Sequence, residues 1–126
     1  MNSISTNAAP LPSGHYSQAI VANGFLFVSG QLPIVPGTTE IPEGAAAQTR
    51  QALANVEAIL RASGAGLEHV VSTTVYVTDI SHWPEINKVY AELFGEHRPA
   101  RAVAVSPQLH FGCLVEIQGI ALAPHK

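Results

Sequence analysis

Two charged side chains stand inside stretches that otherwise consist of small and aliphatic residues. Arg101 opens the run RAVAV, and Glu116 lies within LVEIQGIAL. A guanidinium group can bind a carboxylate through two parallel hydrogen bonds, so Arg101 could hold an acidic small molecule. A carboxylate beside it could transfer protons or orient a water molecule. The two residues together therefore indicate acid–base chemistry on a substrate that carries a carboxylate.

The segment between these residues predicts how they meet. If 107–110 is a four-residue loop, the strands around Arg101 and Glu116 form an antiparallel hairpin with the two side chains opposite each other. Their Cβ atoms would then be about 4.5–5.5 Å apart, and a slip of one residue would send one charge to the other face. A structural ion pair at a sheet edge or subunit contact is the competing interpretation. Burying such a pair costs several kcal/mol per ion, which makes a purely structural role less attractive.

The elements that must position these residues follow from local patterns. Asn23-Gly24 between two apolar runs predicts a β-hairpin, and the alternation over 70–77 predicts a strand. Apolar spacing over 45–63 predicts a helix that ends at Gly64. A second helix is expected from Ser81 as N-cap to about Phe94, with Pro84 in its first turn and Gly95 at its end.

These elements give the order strand, strand, helix, strand, helix, strand, strand. Such an order predicts a single α+β domain over 1–126, with a mixed sheet and two helices on one face. Residues 1–14 are expected to form a flexible segment that leads into the domain. The edges or the bare face of the sheet would be covered by other subunits.

Composition limits the partners and the compartment. The chain has 126 residues, of which 47% are hydrophobic and 12% charged, so an oligomer is expected. Its net charge of −3 argues against nucleic acid as a partner, and no apolar run is long enough to span a membrane. One cysteine excludes an internal disulfide and suits a reducing compartment, and no cationic targeting segment precedes Arg50. The sequence therefore predicts a cytoplasmic protein.

Motifs along nearly the whole chain resemble the RidA (YjgF) family of enamine/imine deaminases. They are GHYSQA (14–19), VSGQLP (28–33), QTRQALANV (48–56), TTVYVTD (73–79), NKVY (87–90), PAR (99–101) and VEI (115–117). The resemblance implies a chorismate-mutase-like fold assembled as a homotrimer with clefts between subunits. It also implies hydrolysis of 2-aminoacrylate-type enamines and imines to 2-oxo acids and ammonia, without a metal or other cofactor.

The resemblance also implies roles for individual residues. Arg101 would bind the substrate carboxylate, and Glu116 would activate the attacking water and handle its protons. Tyr16 would form one wall of the cleft, Ser29-Gly30 would line it with a backbone amide near the reacting carbon, and Asn87 would lie near the arginine.

Four positions depart from the family pattern. His15 and His110 stand where proline is usual or frequent, Val103 stands where some relatives carry a cysteine, and Cys113 replaces a small residue. These departures put the substrate preference in doubt rather than the chemistry, and Cys113 is expected to be a buried apolar residue.

Other functions remain as alternatives. A non-catalytic module that binds 2-oxo acids would keep Arg101 but would not need Glu116, and a pathway-specific deaminase of the aminomuconate type would use both residues on a larger substrate. Relatives have been described as endoribonucleases, translation inhibitors and chaperone-like proteins, but the acidic balance gives RNA cleavage little support. The six histidines form no H-x-x-x-H motif, so no metal site is expected.

Overall fold

The computed structural model describes residues 1–124. Six strands form one sheet, and two helices pack on it, with short 3₁₀ turns in the connections. In chain order the elements are β1 (Asn2–Ile4), β2 (Ala19–Ala22), β3 (Phe25–Gln31), α1 (Ala45–Ala62), β4 (Val70–Val77), α2 (Trp83–Phe94), β5 (Ala100–Val105) and β6 (Val115–Leu122). The predicted α+β class, with both helices on one face, is confirmed.

Local sequence patterns predicted several turns and helix ends, and the structure tests three of them. Asn23 and Gly24 have φ angles of 51° and 81°, as a two-residue type I′ hairpin requires, so that prediction is confirmed. Helix α1 stops just before Gly64, which adopts a left-handed φ of 83°. The predicted N-cap at Ser81 is wrong: the Asp79 side chain accepts a 2.8 Å hydrogen bond from the backbone N–H of Ser81, and this caps a 3₁₀ turn before α2.

The strand order across the sheet is β1-β2-β3-β6-β4-β5, and only the β4–β5 pair is parallel. Strand β1 pairs with β2, so part of the segment 1–14, which we expected to lack regular structure, belongs to the sheet edge. The core lies between the helices and one face of the sheet. It includes Leu53 and Ile59 of α1, Ile86 of α2 and Ile117 of β6, all at most 1% exposed.

The predicted hairpin between the last two strands is wrong. Strand β4 lies between β5 and β6, and the connection 106–114 passes across the end of β4. Arg101 is therefore opposite Thr73, and Glu116 is opposite Tyr76. The connection has to span only about two strand spacings, roughly 10 Å, which a segment of this length does easily.

The sheet face away from the helices carries large apolar side chains. Phe25 and Phe27 of β3 are 37% and 45% exposed, and Leu122 of β6 is 49% exposed. Within residues 1–124 neither helix packs on this face. Exposed apolar surface of this kind is typical of a face that contacts another protein copy.

Candidate functional site

Glu116 lies on the face of the sheet that carries the exposed phenylalanines. Its neighbours Val115 and Ile117 point into the core, so the alternation of β6 sends the glutamate the other way. Strand β3 has a bulge between Val28 and Gln31, and Gly30 lies within it against the Glu116 side chain. A Cβ at Gly30 would overlap a carboxylate oxygen and lie 3.1 Å from Cδ, so the close approach requires glycine at this position.

The bulge is held by the preceding hairpin. The Ser29 hydroxyl donates a 2.6 Å hydrogen bond to the carbonyl of Ser17, and the Ser29 backbone N–H donates to the carbonyl of Gln18 at 2.9 Å. The hydroxyl of Ser29 is therefore engaged by backbone, and its contribution is to fix the strand beside Glu116. A bulge next to a half-buried carboxylate fits the frequent use of bulges to re-aim side chains near active sites.

A cleft of about 540 Å³ opens beside this carboxylate. Tyr16, Ser29, Gly30 and Glu116 all line it, so the structure brings together four of the predicted site residues. Burial raises the pKa of Glu116 above the ordinary 4.5, and the positive charge of a protonated His110, which lines the same cleft, opposes that rise. A carboxylate with a raised pKa is better matched to proton transfer near neutral pH than an exposed glutamate.

Arg101 lies on the helix side of the sheet, at the edge strand β5. Its guanidinium carbon is 4.7 Å from the ring centre of Trp83 and 4.8 Å from that of Tyr90, both on α2. Its Nη1 donates a 2.9 Å hydrogen bond to Oδ1 of Asn87. Two aromatic faces and one amide orient the cation but leave most of its N–H groups free for an anion.

Tyr90, one of the two aromatic residues that contact Arg101, is held by a hydrogen bond in the core. The Tyr90 hydroxyl and the Thr73 hydroxyl are 2.8 Å apart in a buried hydrogen bond. Burial raises the pKa of Tyr90, while the Thr73 bond and the positive charge of Arg101 act against the rise. A second cleft, of about 460 Å³, is lined by Asn87, Tyr90 and Arg101.

The predicted site residues therefore form two groups on opposite faces of the sheet. Tyr16, Ser29, Gly30 and Glu116 form one group, and Asn87 and Arg101 form the other. Within residues 1–124 neither Arg101 nor Glu116 takes part in an ion pair. The interpretation of a cross-strand ion pair inside one chain is wrong.

Sequence reasoning missed the aromatic support of Arg101 and one wall of the glutamate cleft. Trp83, Asn87 and Tyr90 recur at i, i+4 and i+7 on α2, a spacing that could have shown that they share one helix face. Phe111 lines the glutamate cleft with a left-handed φ of 61°, which is strained for a non-glycine residue. No sequence signal marked that strain.

The positions that depart from the family pattern have different environments. His15 is exposed and does not line the glutamate cleft, whereas Val103 lies two residues beyond Arg101 on β5. Cys113 is 1% exposed, as expected, and burial raises its pKa. Among residues 1–124, no cluster of three or more histidine, cysteine or acidic side chains is arranged to hold a metal ion. His125 lies outside the described residues.

Comparison with known proteins gives consistent results. Residues 6–123 match a family model described as Endoribonuclease L-PSP. A RutC family protein of Pyrococcus horikoshii is 49% identical over 119 residues, covering 94% of each chain. The 2-iminobutanoate/2-iminopropanoate deaminase of Escherichia coli is 38% identical over 122 residues, covering 94% of this chain and 95% of that protein.

Solved structures agree with the sequence matches. The crystal structure of RidA from an Antarctic Psychrobacter has a TM-score of 0.93 at 38% identity, covering 97% of this chain and 99% of that one. In the described part of the chain, no helix is long and apolar enough to cross a membrane.

Proposed function

This chain belongs to the RidA (YjgF) family, and we propose that it hydrolyses 2-aminoacrylate-type enamines and imines to 2-oxo acids and ammonia. The E. coli relative named as a deaminase of 2-iminobutanoate and 2-iminopropanoate supports this reaction class. The observation that carries the proposal is the Glu116 carboxylate, which is set against Gly30 in a cleft and has a raised pKa. A protein that only binds a 2-oxo acid has no need of such a group.

The active site in this proposal forms between two copies of the chain. Arg101 and Glu116 lie on opposite faces of one sheet, so one substrate can contact both only if they come from different copies. The exposed apolar face around Phe27 and the edge strand β5 are surfaces that a neighbouring copy can cover. A homotrimer with three such clefts would bring Arg101 of one copy to Glu116 of another and would cover the apolar face. A closed ring of this kind repeats one contact three times.

The reaction proceeds through three balanced steps. An enamine first tautomerises to the imine, which moves one proton from nitrogen to carbon. The Glu116 carboxylate then takes a proton from water while the water oxygen bonds to the imine carbon and the imine nitrogen takes a proton from solvent. Glu116 returns its proton to the amino group, the C–N bond breaks, and the hydroxyl proton is lost to solvent as the ketone forms. Water is consumed and ammonia is released, so no metal or other cofactor is needed.

The remaining residues bind and orient the substrate. Arg101 pairs with the substrate carboxylate by a two-point contact, and Asn87 holds the guanidinium in the required direction. Tyr16 forms a wall of the cleft, and the Ser29-Gly30 backbone lies beside the reacting carbon. We also propose a cytoplasmic location, because the one cysteine is a buried free thiol, which suits a reducing compartment.

Ammonia release from freshly generated 2-aminoacrylate tests the proposal. We expect Glu116→Gln to reduce kcat by about 10²–10⁴-fold with little change in KM, since general acid–base catalysis contributes that much. Arg101→Ala is expected to raise KM strongly, because it removes the contact with the substrate carboxylate. Lys88→Ala, on an exposed face of α2, serves as the control and should match the wild type.

A metabolite-binding module is the second candidate. The observation that favours it is that the Arg101 group is complete on its own face, without Glu116. Binding of a 2-oxo acid without any acceleration of ammonia release would establish that alternative. A rate enhancement restricted to larger substrates would favour a pathway-specific deaminase of the aminomuconate type. Cleavage of RNA that Glu116→Gln abolishes would instead favour a ribonuclease, the activity for which the matched family is named.

A further inference from the structure

Hydrolysis of an imine at Glu116 requires a proton donor as well as a proton acceptor. When water adds to the imine carbon, electron density moves to the nitrogen, which must gain a proton. Glu116 accepts the proton of the attacking water, so it cannot supply the other one at the same moment. A second group that carries a proton near neutral pH would accelerate this step from within the cleft.

Three titratable side chains line the cleft: Tyr16, His110 and Glu116. An imidazole ordinarily changes its charge between about pH 5 and 8, whereas a tyrosine hydroxyl keeps its proton until about pH 10. General acids work best when they titrate near the working pH, so the histidine is the better donor. Position 110 departs from the family pattern, so a role for this histidine is specific to this chain.

The imidazole of His110 is not used by the fold. The rings of His69 and His97 form hydrogen bonds with backbone groups at 3.0 and 2.7 Å. Within residues 1–124 the ring of His110 forms no hydrogen bond and no ion pair, and the residue is exposed at the cleft. Because the ring is too far from Glu116 for an ion pair, space remains between acid and base for the reacting atoms.

The turn that carries His110 is held in place by buried groups. The His110 carbonyl accepts a 3.2 Å hydrogen bond from the backbone N–H of Cys113, which is 1% exposed. The next backbone N–H, of Leu114, donates at 2.8 Å to Oε1 of the buried Gln48 on α1. Phe111 keeps its left-handed φ of 61° in this turn, and such strain persists where the surroundings fix the backbone, often at functional sites. The imidazole therefore projects from a fixed support.

We propose that His110 is a catalytic acid that donates its proton to the imine nitrogen while Glu116 activates the water. The inference rests on the proposed function and replaces solvent as the proton source. Addition of water leaves a carbinolamine, a neutral His110 and a protonated Glu116. Glu116 then protonates the amino group, the C–N bond breaks to release ammonia, and His110 takes the hydroxyl proton as the ketone forms. Both side chains return to their starting forms, so imine and water give ketone and ammonia.

Substitutions of His110 separate proton donation from charge. His110→Arg keeps a positive charge but cannot donate a proton at neutral pH, and His110→Gln keeps neither property. We expect both to lower the maximal kcat/KM for the imine that an amino-acid oxidase forms from alanine by about tenfold or more, with solvent as the slower proton source. Both should also lack the alkaline limb that loss of the His110 proton gives the wild type. A wild-type maximum in His110→Arg would overturn the proposal, because charge alone would then suffice.

His82→Gln is the matched control for these variants. His82 lies in the 3₁₀ turn before α2 and does not line the cleft, so its replacement should leave both the maximum and the alkaline limb unchanged. Equal losses in His82→Gln and His110→Gln would contradict a specific role of His110.

Chemical rescue gives a result that a merely structural role would not produce. His110→Ala opens a gap at an exposed position, which free imidazole can enter. After subtraction of the uncatalysed reaction, we expect imidazole to restore part of the lost kcat/KM in His110→Ala and none in Glu116→Gln. Full activity of His110→Ala, or a loss that imidazole does not restore, would overturn the role of His110 while the wild type remains a deaminase. A wild type that does not accelerate ammonia release would overturn the proposed function and this inference together.

Discussion

At the scale of single residues, the protonation of Glu116 controls the proposed reaction. The carboxylate is the form that takes a proton from water, and burial raises its pKa above 4.5. Activity should therefore fall as the pH drops through this raised pKa, at a higher pH than for an exposed glutamate. We expect the acidic limb of the kcat/KM profile for 2-aminoacrylate to have its midpoint above pH 4.5.

Removing the charge of His110 should shift the acidic limb of the kcat/KM profile. A protonated imidazole in the same cleft lowers the pKa of Glu116, so His110→Gln should shift the acidic limb to higher pH. His82→Gln, in the 3₁₀ turn before α2 and outside the lining of the cleft, should leave the profile in place. An unchanged limb in His110→Gln would show that another group governs the profile.

At the scale of elements, the bulge in β3 positions Glu116 through the absence of a side chain. Gly30→Ala would place a Cβ against the carboxylate, which must then move. Because displacements of about 1 Å can cost about 10²-fold in rate, we expect a loss of that order in kcat with the protein still folded. Circular dichroism and thermal melting check the folded state.

Gly119→Ala is the matched control for that substitution. Gly119 lies on the neighbouring strand β6, and a Cβ there would meet only the backbone oxygen of Ser72 at 3.7 Å, an ordinary contact. This variant should retain activity. Equal losses in Gly30→Ala and Gly119→Ala would indicate a general sensitivity of the sheet rather than a specific effect on Glu116.

Elements specified by neighbouring residues could be predicted from the sequence, and those specified by distant contacts could not. The turn at Asn23-Gly24 and the helix end at Gly64 depend on local backbone preferences, which sequence patterns report directly. The pairing of β5 depends on which strand buries it, and a single sequence does not encode that choice locally. The mutual geometry of Arg101 and Glu116 was therefore predicted wrongly, whereas their roles in a reaction stay a prediction from residue type.

At the scale of the whole molecule, the separation of the two charged groups makes the assembly part of the site. A single chain presents Arg101 on the helix side of its sheet and Glu116 on the opposite side. The fold alone thus gives two half-sites, and each is lined and supported independently of the other. The proposed activity should consequently depend on oligomer formation, and dilution below the assembly range should abolish it.

Mixed oligomers test this dependence directly. Arg101→Ala and Glu116→Gln chains, each expected to have little activity alone at low substrate concentration, are co-expressed with different tags, and oligomers that contain both are purified. A cleft is intact when a Glu116→Gln chain supplies its arginine and an Arg101→Ala chain supplies its glutamate. In a trimer that contains both variants, one of the three clefts is intact, so about one third of wild-type activity should return. Oligomers mixed only after assembly should stay inactive, and if both residues of a site came from one chain, the co-expressed oligomers would be inactive as well.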